Sequence, residues 1–509
     1  MYYQNPVKRG FFPDPSVIRV GEDYYMVNSS FQYFPAIPIS HSRDLVHWET
    51  IGHAITKTEY LDLSEIMDSR GIWAPDISYH NGKFYIFATL RYNDAAPDEH
   101  PLRAQLMMTA DAPEGPYSKP VVLPVDNIDP SHFVDDDGKH YMIIAPGITI
   151  VPLNDDCTRV IGEPKQVWAG TGERCPEGPH ILKHNGWYYA ILAEGGTGYG
   201  HGINIGRSKS LYGEYEPCPY NPVLRQKDPS APIQRSGHGK LVQTQNGDWY
   251  CMYLCGRRNG GNYTTIGRET ALDPVIWTDD GWFIVNNGTP SVKQNFPNLP
   301  CTEYPENTFA DFKKPLSLNW EWVRNPDSNM FSQDENGLVL KTTKGRLSDI
   351  SAKNILVRRE TELNFTAAAK MRFSPMSEGA KAGLVSYYST VTYLSFSKTK
   401  KNGKYILSVD INRNRGEENI CETEIDNNDI IDIILRIETK GLTRKCSYSF
   451  NNSDFTEICT VENCIFLCDE GVPDDPKRHT GTLTGIFANR GESDIIDEAV
   501  FEWFDYKTF

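Results

Sequence analysis

The chain has 509 residues, with 51 Lys and Arg against 67 Asp and Glu, for a net charge of −16. That balance argues against nucleic acid or an anionic membrane as the main partner, because both recruit basic patches, and it fits a neutral substrate. A hydrophobic fraction of 39% with 23% charged residues excludes disorder, and no apolar run reaches the roughly 18 residues a transmembrane helix needs.

The opening residues, Met1 to Arg9, show no apolar core behind a basic head, so the sequence predicts no signal peptide. The 11 cysteines contain no Cys-x-x-Cys pair. Cys251/Cys255 and Cys464/Cys468 are expected on strands with no His nearby and read as plain buried thiols. Unpaired thiols without a signal peptide predict a cytoplasmic location. Aromatic residues make up 12% of the chain, alongside 40 Gly and 33 Pro. Many aromatics with many turn formers predict short strands and frequent turns, hence an all-β protein.

One phrase recurs along the first half: a strand, a glycine turn, then an aromatic strand. It occurs at Gly21 before Tyr24-Tyr25, Gly82 before Phe84-Tyr85, Gly138 before His140-Tyr141, Gly186 before Trp187-Tyr188-Tyr189, and Gly247 before Trp249-Tyr250. Asn-Gly and Asp-Gly favour the left-handed backbone of tight hairpin turns. Five such units predict the blades of a β-propeller. Counting back twelve residues from the last Tyr of each hairpin, or eleven in the shorter first unit, reaches Asp14, Trp73, Asp129, Glu177 and His238. Equivalent positions on successive blades form a ring around the axis. A ring holding three carboxylates is hard to explain as packing, because buried like charges repel. Asp76, three residues past Trp73, is expected to face the other way and to be structural. Asp135, Asp136 and Asp137 read as a solvated turn.

Three carboxylates about one axis suggest glycoside hydrolysis. One protonates the leaving oxygen, one activates water or attacks the sugar, and the third tunes the acid. Ser/His/Asp catalysis lacks a Gly-x-Ser-x-Gly elbow. The run Gly195 to Gly202 leads into a strand-like Ile203-Asn204-Ile205 rather than a helix, so it reads as a sharp loop on the active-site face and not as a dinucleotide loop.

The sequence resembles the family 43 glycoside hydrolases, especially their two-domain exo-acting pentosidases. The matching phrases are Arg9-Gly10-Phe11-Phe12-Pro13-Asp14-Pro15-Ser16, His41-Ser42-Arg43-Asp44-Leu45-Val46-His47-Trp48 and Gly71-Ile72-Trp73-Ala74-Pro75. They continue with Ile128-Asp129-Pro130-Ser131, Glu177-Gly178-Pro179-His180, Gly237-His238-Gly239 and Gly267-Arg268-Glu269-Thr270-Ala271-Leu272. The resemblance implies a five-bladed propeller and inverting chemistry, with Asp14 as general base, Glu177 as general acid, and Asp129 raising the pKa of Glu177 and orienting it. Phe31 and Trp73 would wall the terminal sugar subsite, and Arg268 would hydrogen-bond its hydroxyls. Phe31 also reads as blade core and Arg268 as a surface ion pair. His238 would sit at the axis, with a structural calcium ion beside it left open; no other cofactor is expected. One departure is the short segment Ala145 to Val151, where close β-xylosidase relatives carry a long loop. The loop Arg91 to Asp98 is the candidate to compensate, and the leaving-group side is expected to be more open.

The hairpin phrase stops after Pro290. The expected division is a catalytic propeller over 1–296, a linker over 297–308 and a β-sandwich over 309–509. The last part resembles the concanavalin-like domain of the same group, through Asp311-Phe312, Trp320-Glu321-Trp322 and Thr482 to Phe487. The expected function is exo-acting, inverting release of terminal α-L-arabinofuranosyl or β-D-xylosyl units from plant-derived oligosaccharides. The alternative is a non-catalytic sugar-binding propeller with a lectin-like sandwich. The expected partner is a small oligosaccharide, with a homo-oligomer left open.

Overall fold

The computed structural model describes residues 1–94, 101–425, 432–472 and 478–509. Residues 95–98 of the loop expected to compensate on the leaving-group side therefore lie outside the described residues. Strands dominate, and the helical pieces among the described residues are the single turns Thr58–Tyr60, Cys464–Leu467 and Asp469–Gly471. Cys464, expected on a strand, sits on the second of these turns with Cys468 just past it.

Five antiparallel sheets follow one another and form the blades. Their innermost strands are Ser16–Val20, Gly71–His80, Ser131–Val134, Glu177–His184 and Ile233–Gln243. Each turns through the recurring glycine into the aromatic strand, as in Lys83–Arg91 and Trp187–Glu194. Gly82, Gly138, Gly186 and Gly247 all have positive φ, which is why the turns carry glycine. The N-terminal strand Tyr2–Gln4 pairs with Lys293–Asn295. Tyr3 and Asn5 side chains donate to the Leu272 carbonyl, tying the chain start to the fifth blade.

Residues 296–308 hold no strand, and the next begins at Phe309. The C-terminal part stacks two eight-stranded sheets around an apolar core that includes Phe312, Trp320, Phe396, Leu407, Ile486 and Phe504. One edge strand of this sandwich comes from the propeller: Tyr33–Phe34 pairs antiparallel with Trp322 and Val323. Arg324 is fully buried at this seam, donating to the Ile66 carbonyl at 2.6 Å and to Asp68 at 2.8 Å. The two halves therefore share backbone pairing and a buried ion pair.

Candidate active site

The expected ring positions converge on the axis. Asp14 and Asp129 sit just ahead of the innermost strands of blades I and III, and His238 lies within that of blade V. All three have left-handed backbone, with φ of 54°, 61° and 46°. Such a conformation is uncommon outside glycine and aims the side chain away from the strand's ordinary alternation. His238 Nδ1 lies 3.6 Å from Asp14 Oδ1 and 3.9 Å from Asp129 Oδ2. A Cβ on Gly178 would meet the His238 ring at 2.9 Å, so glycine after Glu177 makes room for the imidazole.

Asp76 corrects an expectation. It is structural, but it faces the axis. Between Ile72 and Pro75 the strand carries one residue more than its partner, which spans only Leu90 to Ala88. This bulge re-phases the alternation, so residues three apart share a face. The same shift occurs between Glu177 and His180. Asp76 thus joins a second layer below the first. It accepts from Ser16 Oγ at 2.7 Å, Lys240 Nζ at 2.5 Å and the His132 backbone at 2.8 Å, with His180 Nδ1 at 3.8 Å. Asp135 is also less solvated than expected: it accepts from Lys183 and Tyr188, joining blades III and IV.

Both oxygens of Asp14 are occupied: Arg268 Nη1 donates to Oδ1 at 2.8 Å and Ser29 Oγ to Oδ2 at 2.6 Å. Burial would raise its pKa, but Arg268, then His238 and Ser29, outweigh it and hold the carboxyl below its ordinary value. Asp129 is anchored by the Gly178 amide on Oδ2 at 2.9 Å, and its own amide donates to Thr89. Burial, reinforced by Glu177 and Asp14 against the pull of His238, pushes Asp129 up to about 7. Glu177 moves the other way: burial raises it, but His201 and His238 draw it down. Sequence reasoning placed the raised pKa on Glu177. In the structure the raised group is Asp129, because a residue not singled out in the sequence stands beside Glu177 and draws it down.

That residue is His201, fully buried, with Nε2 3.4 Å from Glu177 Oε1. Its Nδ1 lies 3.2 Å from the Arg235 carbonyl, which can only accept, so Nδ1 carries a hydrogen. Two features explain its placement. The glycine run turns sharply, with Gly195 and Gly196 at positive φ, and delivers His201 to the start of the strand Gly202–Ser208. Gly237 leaves the space the His201 ring fills, since a Cβ there would come within 2.4 Å of it. The signal available in the sequence was a histidine set within a glycine run.

Trp73 is partly exposed at the ring, its indole donating to the Ser69 carbonyl and the Arg91 guanidinium 5.9 Å from its ring. Phe31 is core: it is buried against Phe11, Tyr387 and Tyr393, and backs Trp73 at 6.4 Å and Arg268 at 5.8 Å. Arg268 is buried rather than a surface residue, and its Nε and Nη2 donate to the carbonyl of His479, a residue of the sandwich. The sandwich thus reaches the site through its backbone. Asp469 holds that segment by accepting the amides of Arg478 and His479.

The donors around His238 do not form a calcium site. Calcium takes about six to eight oxygen ligands, whereas His238 offers nitrogen. The two carboxylate oxygens it faces already accept from Arg268 and the Gly178 amide.

A buried carboxylate held below its ordinary pKa, on one ring with two further carboxyls shifted in opposite directions, suits a glycoside hydrolase. Residues 3–283 match the family described as Glycosyl hydrolases family 43, and residues 308–507 match the Beta xylosidase C-terminal Concanavalin A-like domain. The chain belongs to glycoside hydrolase family 43. It is 35% identical to a xylan 1,3-beta-xylosidase of a Vibrio species, over 99% of this chain and 98% of the relative. It is 34% identical to a non-reducing end alpha-L-arabinofuranosidase of Bacteroides ovatus, over 99% of this chain and 94% of the relative. A crystal structure of a family 43 protein from Bacillus licheniformis superposes with a TM-score of 0.97 at 53% identity, covering 100% of both chains.

Proposed function

We propose that the protein releases single β-D-xylosyl or α-L-arabinofuranosyl units from the non-reducing ends of plant-derived oligosaccharides, with inversion of configuration. The observation that carries this reading is Asp14, tied to Arg268 and Ser29 and held below its ordinary pKa, on one ring with Asp129 and Glu177, whose pKa values are shifted in opposite directions. Relatives of nearly full-length coverage carry both specificities in their names, which supports keeping the two sugars together. The non-catalytic alternative gives no use for carboxylates tuned in opposite directions.

In this reading Asp14 takes a proton from water as the water attacks the anomeric carbon. Glu177, facing the sugar from blade IV, delivers the shared proton to the leaving oxygen. Asp129 stays behind as the charge that keeps that proton from leaving early. Trp73 offers its face to the sugar's C–H surface, and Phe31 supports Trp73 from the core. His238 bridges Asp14 and Asp129 and fixes the spacing of the ring. A reducing, cytoplasmic setting belongs to the same proposal, supported by 11 cysteines all present as free thiols.

The test is hydrolysis of nitrophenyl β-D-xyloside and α-L-arabinofuranoside, with the product anomer followed by NMR. Release of the inverted anomer from at least one is expected. Retained configuration, or turnover of neither, would overturn the reading.

A further inference from the structure

Away from the ring, three potential metal ligands meet on blade III. His132 Nε2 lies 2.9 Å from His140 Nδ1, and Cys157 Sγ lies 3.3 Å from His140 Nδ1 and 3.6 Å from His132 Nε2. All three donor atoms lie within 4.8 Å of one another, and the three residues are buried. We propose that His132, His140 and Cys157 form a binding site for a zinc-class divalent cation that clips the loop after the third blade strand to the inner hairpin of that blade.

Geometry carries the proposal. A tetrahedral zinc has Zn–N of about 2.0–2.1 Å and Zn–S of about 2.3 Å. Its ligands are then separated by about 3.3 Å for N···N and about 3.6 Å for N···S. The observed 2.9, 3.3 and 3.6 Å match these separations to within a few tenths of an ångström. Metal entry therefore asks for a slight spreading of side chains rather than a rearrangement. Two imidazoles and a thiolate are also the donor set that borderline-soft cations select.

Two further observations agree. His132 Nδ1 is 2.6 Å from Ser78 Oγ on blade II. A ligating histidine typically donates its other ring N–H to an oxygen, which fixes the tautomer and leaves the ligating nitrogen bare. Cys157 is fully buried at φ 60°, a left-handed conformation a cysteine does not favour. Its amide donates to the Asn154 carbonyl, and Leu153 is tied to the His140 carbonyl, so the loop is shaped to bring the thiol to the two rings.

A cation of this class is held by neutral imidazoles and a thiolate. Binding is then an exchange: the cation forms a bond to sulfur and the thiol proton leaves to solvent. The site touches none of the ring carboxylates. It meets the inner layer through the His132 amide on Asp76 and through Ser78 of the innermost strand of blade II.

The test uses the untagged full chain. Metal-free protein is loaded with zinc chloride, dialysed, and its zinc measured by mass spectrometry. A parallel sample receives cobalt(II), whose thiolate charge-transfer band reports sulfur ligation. About one zinc per chain and a thiolate band are expected, both lost in Cys157→Ser, with hydrolysis of nitrophenyl glycosides retained. Should Cys157→Ser fail to fold, His140→Gln supplies the same comparison. Wild-type protein that holds no zinc and shows no band would overturn the proposal, leaving a hydrogen-bonded histidine pair. Zinc retained in full by a folded Cys157→Ser or His140→Gln would overturn it equally.

Discussion

His201 Nε2 stands 3.4 Å from Glu177 Oε1, and the other nitrogen of the same ring faces the Arg235 carbonyl. The histidine is thus oriented by one backbone oxygen to act on one carboxylate, and it is the group that draws Glu177 down. Asp14 is held below the ordinary aspartate value of 3.8, Asp129 is pushed up to about 7, and Glu177 is drawn below its ordinary value. For kcat/KM on unactivated xylobiose, the acidic limb should therefore fall below pH 4, and the basic limb should follow the loss of the last proton held between Asp129 and Glu177. In His201→Asn the group lowering Glu177 is gone, so the basic limb should move to higher pH, with a loss of about 10- to 100-fold from a less well positioned acid. A basic limb that stays in place would show that His201 only fills space.

Asp129→Asn tests the pair from the other side. The substitution removes the charge that repels ionisation of Glu177 while keeping the shape. Glu177, still beside His201, should then lose its proton at lower pH. The basic limb should move down, with a large loss of rate at neutral pH, and the acidic limb set by Asp14 should move less. A raised KM with both limbs unmoved would instead make Asp129 a sugar-binding residue.

The acid and base separate by leaving group. Glu177→Ala should slow xylobiose by about 10²- to 10⁴-fold, the usual worth of a general acid. It should spare aryl glycosides with good leaving groups by comparison. Asp14→Ala should cripple both substrates, because water must be activated in either case. Equal losses on both substrates in Glu177→Ala would remove it from the acid role.

The sandwich reaches Arg268 through the His479 backbone carbonyl, so this contact is tested through the residue that holds that carbonyl. Asp469 accepts from the Arg478 and His479 amides and from the Tyr388 hydroxyl at 2.6 Å. Asp469→Asn lacks one acceptor for these donors and should loosen the His479 contact to Arg268. We expect kcat/KM to fall by about tenfold, with an unchanged far-ultraviolet spectrum. Unchanged kinetics would mean that Arg268 is held adequately by Asp14 alone.

Below the ring, Asp76 and Lys240 form a pair whose carboxylate is buried, so removing the acid strands the ammonium. Asp76→Ala should cost about 3–5 kcal/mol of stability, measured by urea denaturation. A cost under about 1 kcal/mol, the level of an exposed pair, would show that water reaches this layer.

Much of the architecture was legible in the sequence because it is periodic. The glycine turns and aromatic strands recur at blade spacing, and a repeated position on a closed ring must face the axis whatever the blades pack against. That is why Asp14, Trp73, Asp129, Glu177 and His238 could be brought together by counting residues. The bulges were not legible, because an extra residue in a strand is defined by its partner's register; hence Asp76 was turned the wrong way. His201 lies outside the repeat, and only the clearance at Gly237 and the carbonyl of Arg235 show what it touches. The His479 contact and the Tyr33–Phe34 strand shared with the sandwich join residues hundreds of positions apart. The cluster of His132, His140 and Cys157 follows no sequence spacing, since its third member arrives on a loop. Local periodicity therefore determined the blades and the carboxylate ring. The tuning of those carboxylates, and the surfaces that complete the site, depend on long-range contacts that only the folded chain creates.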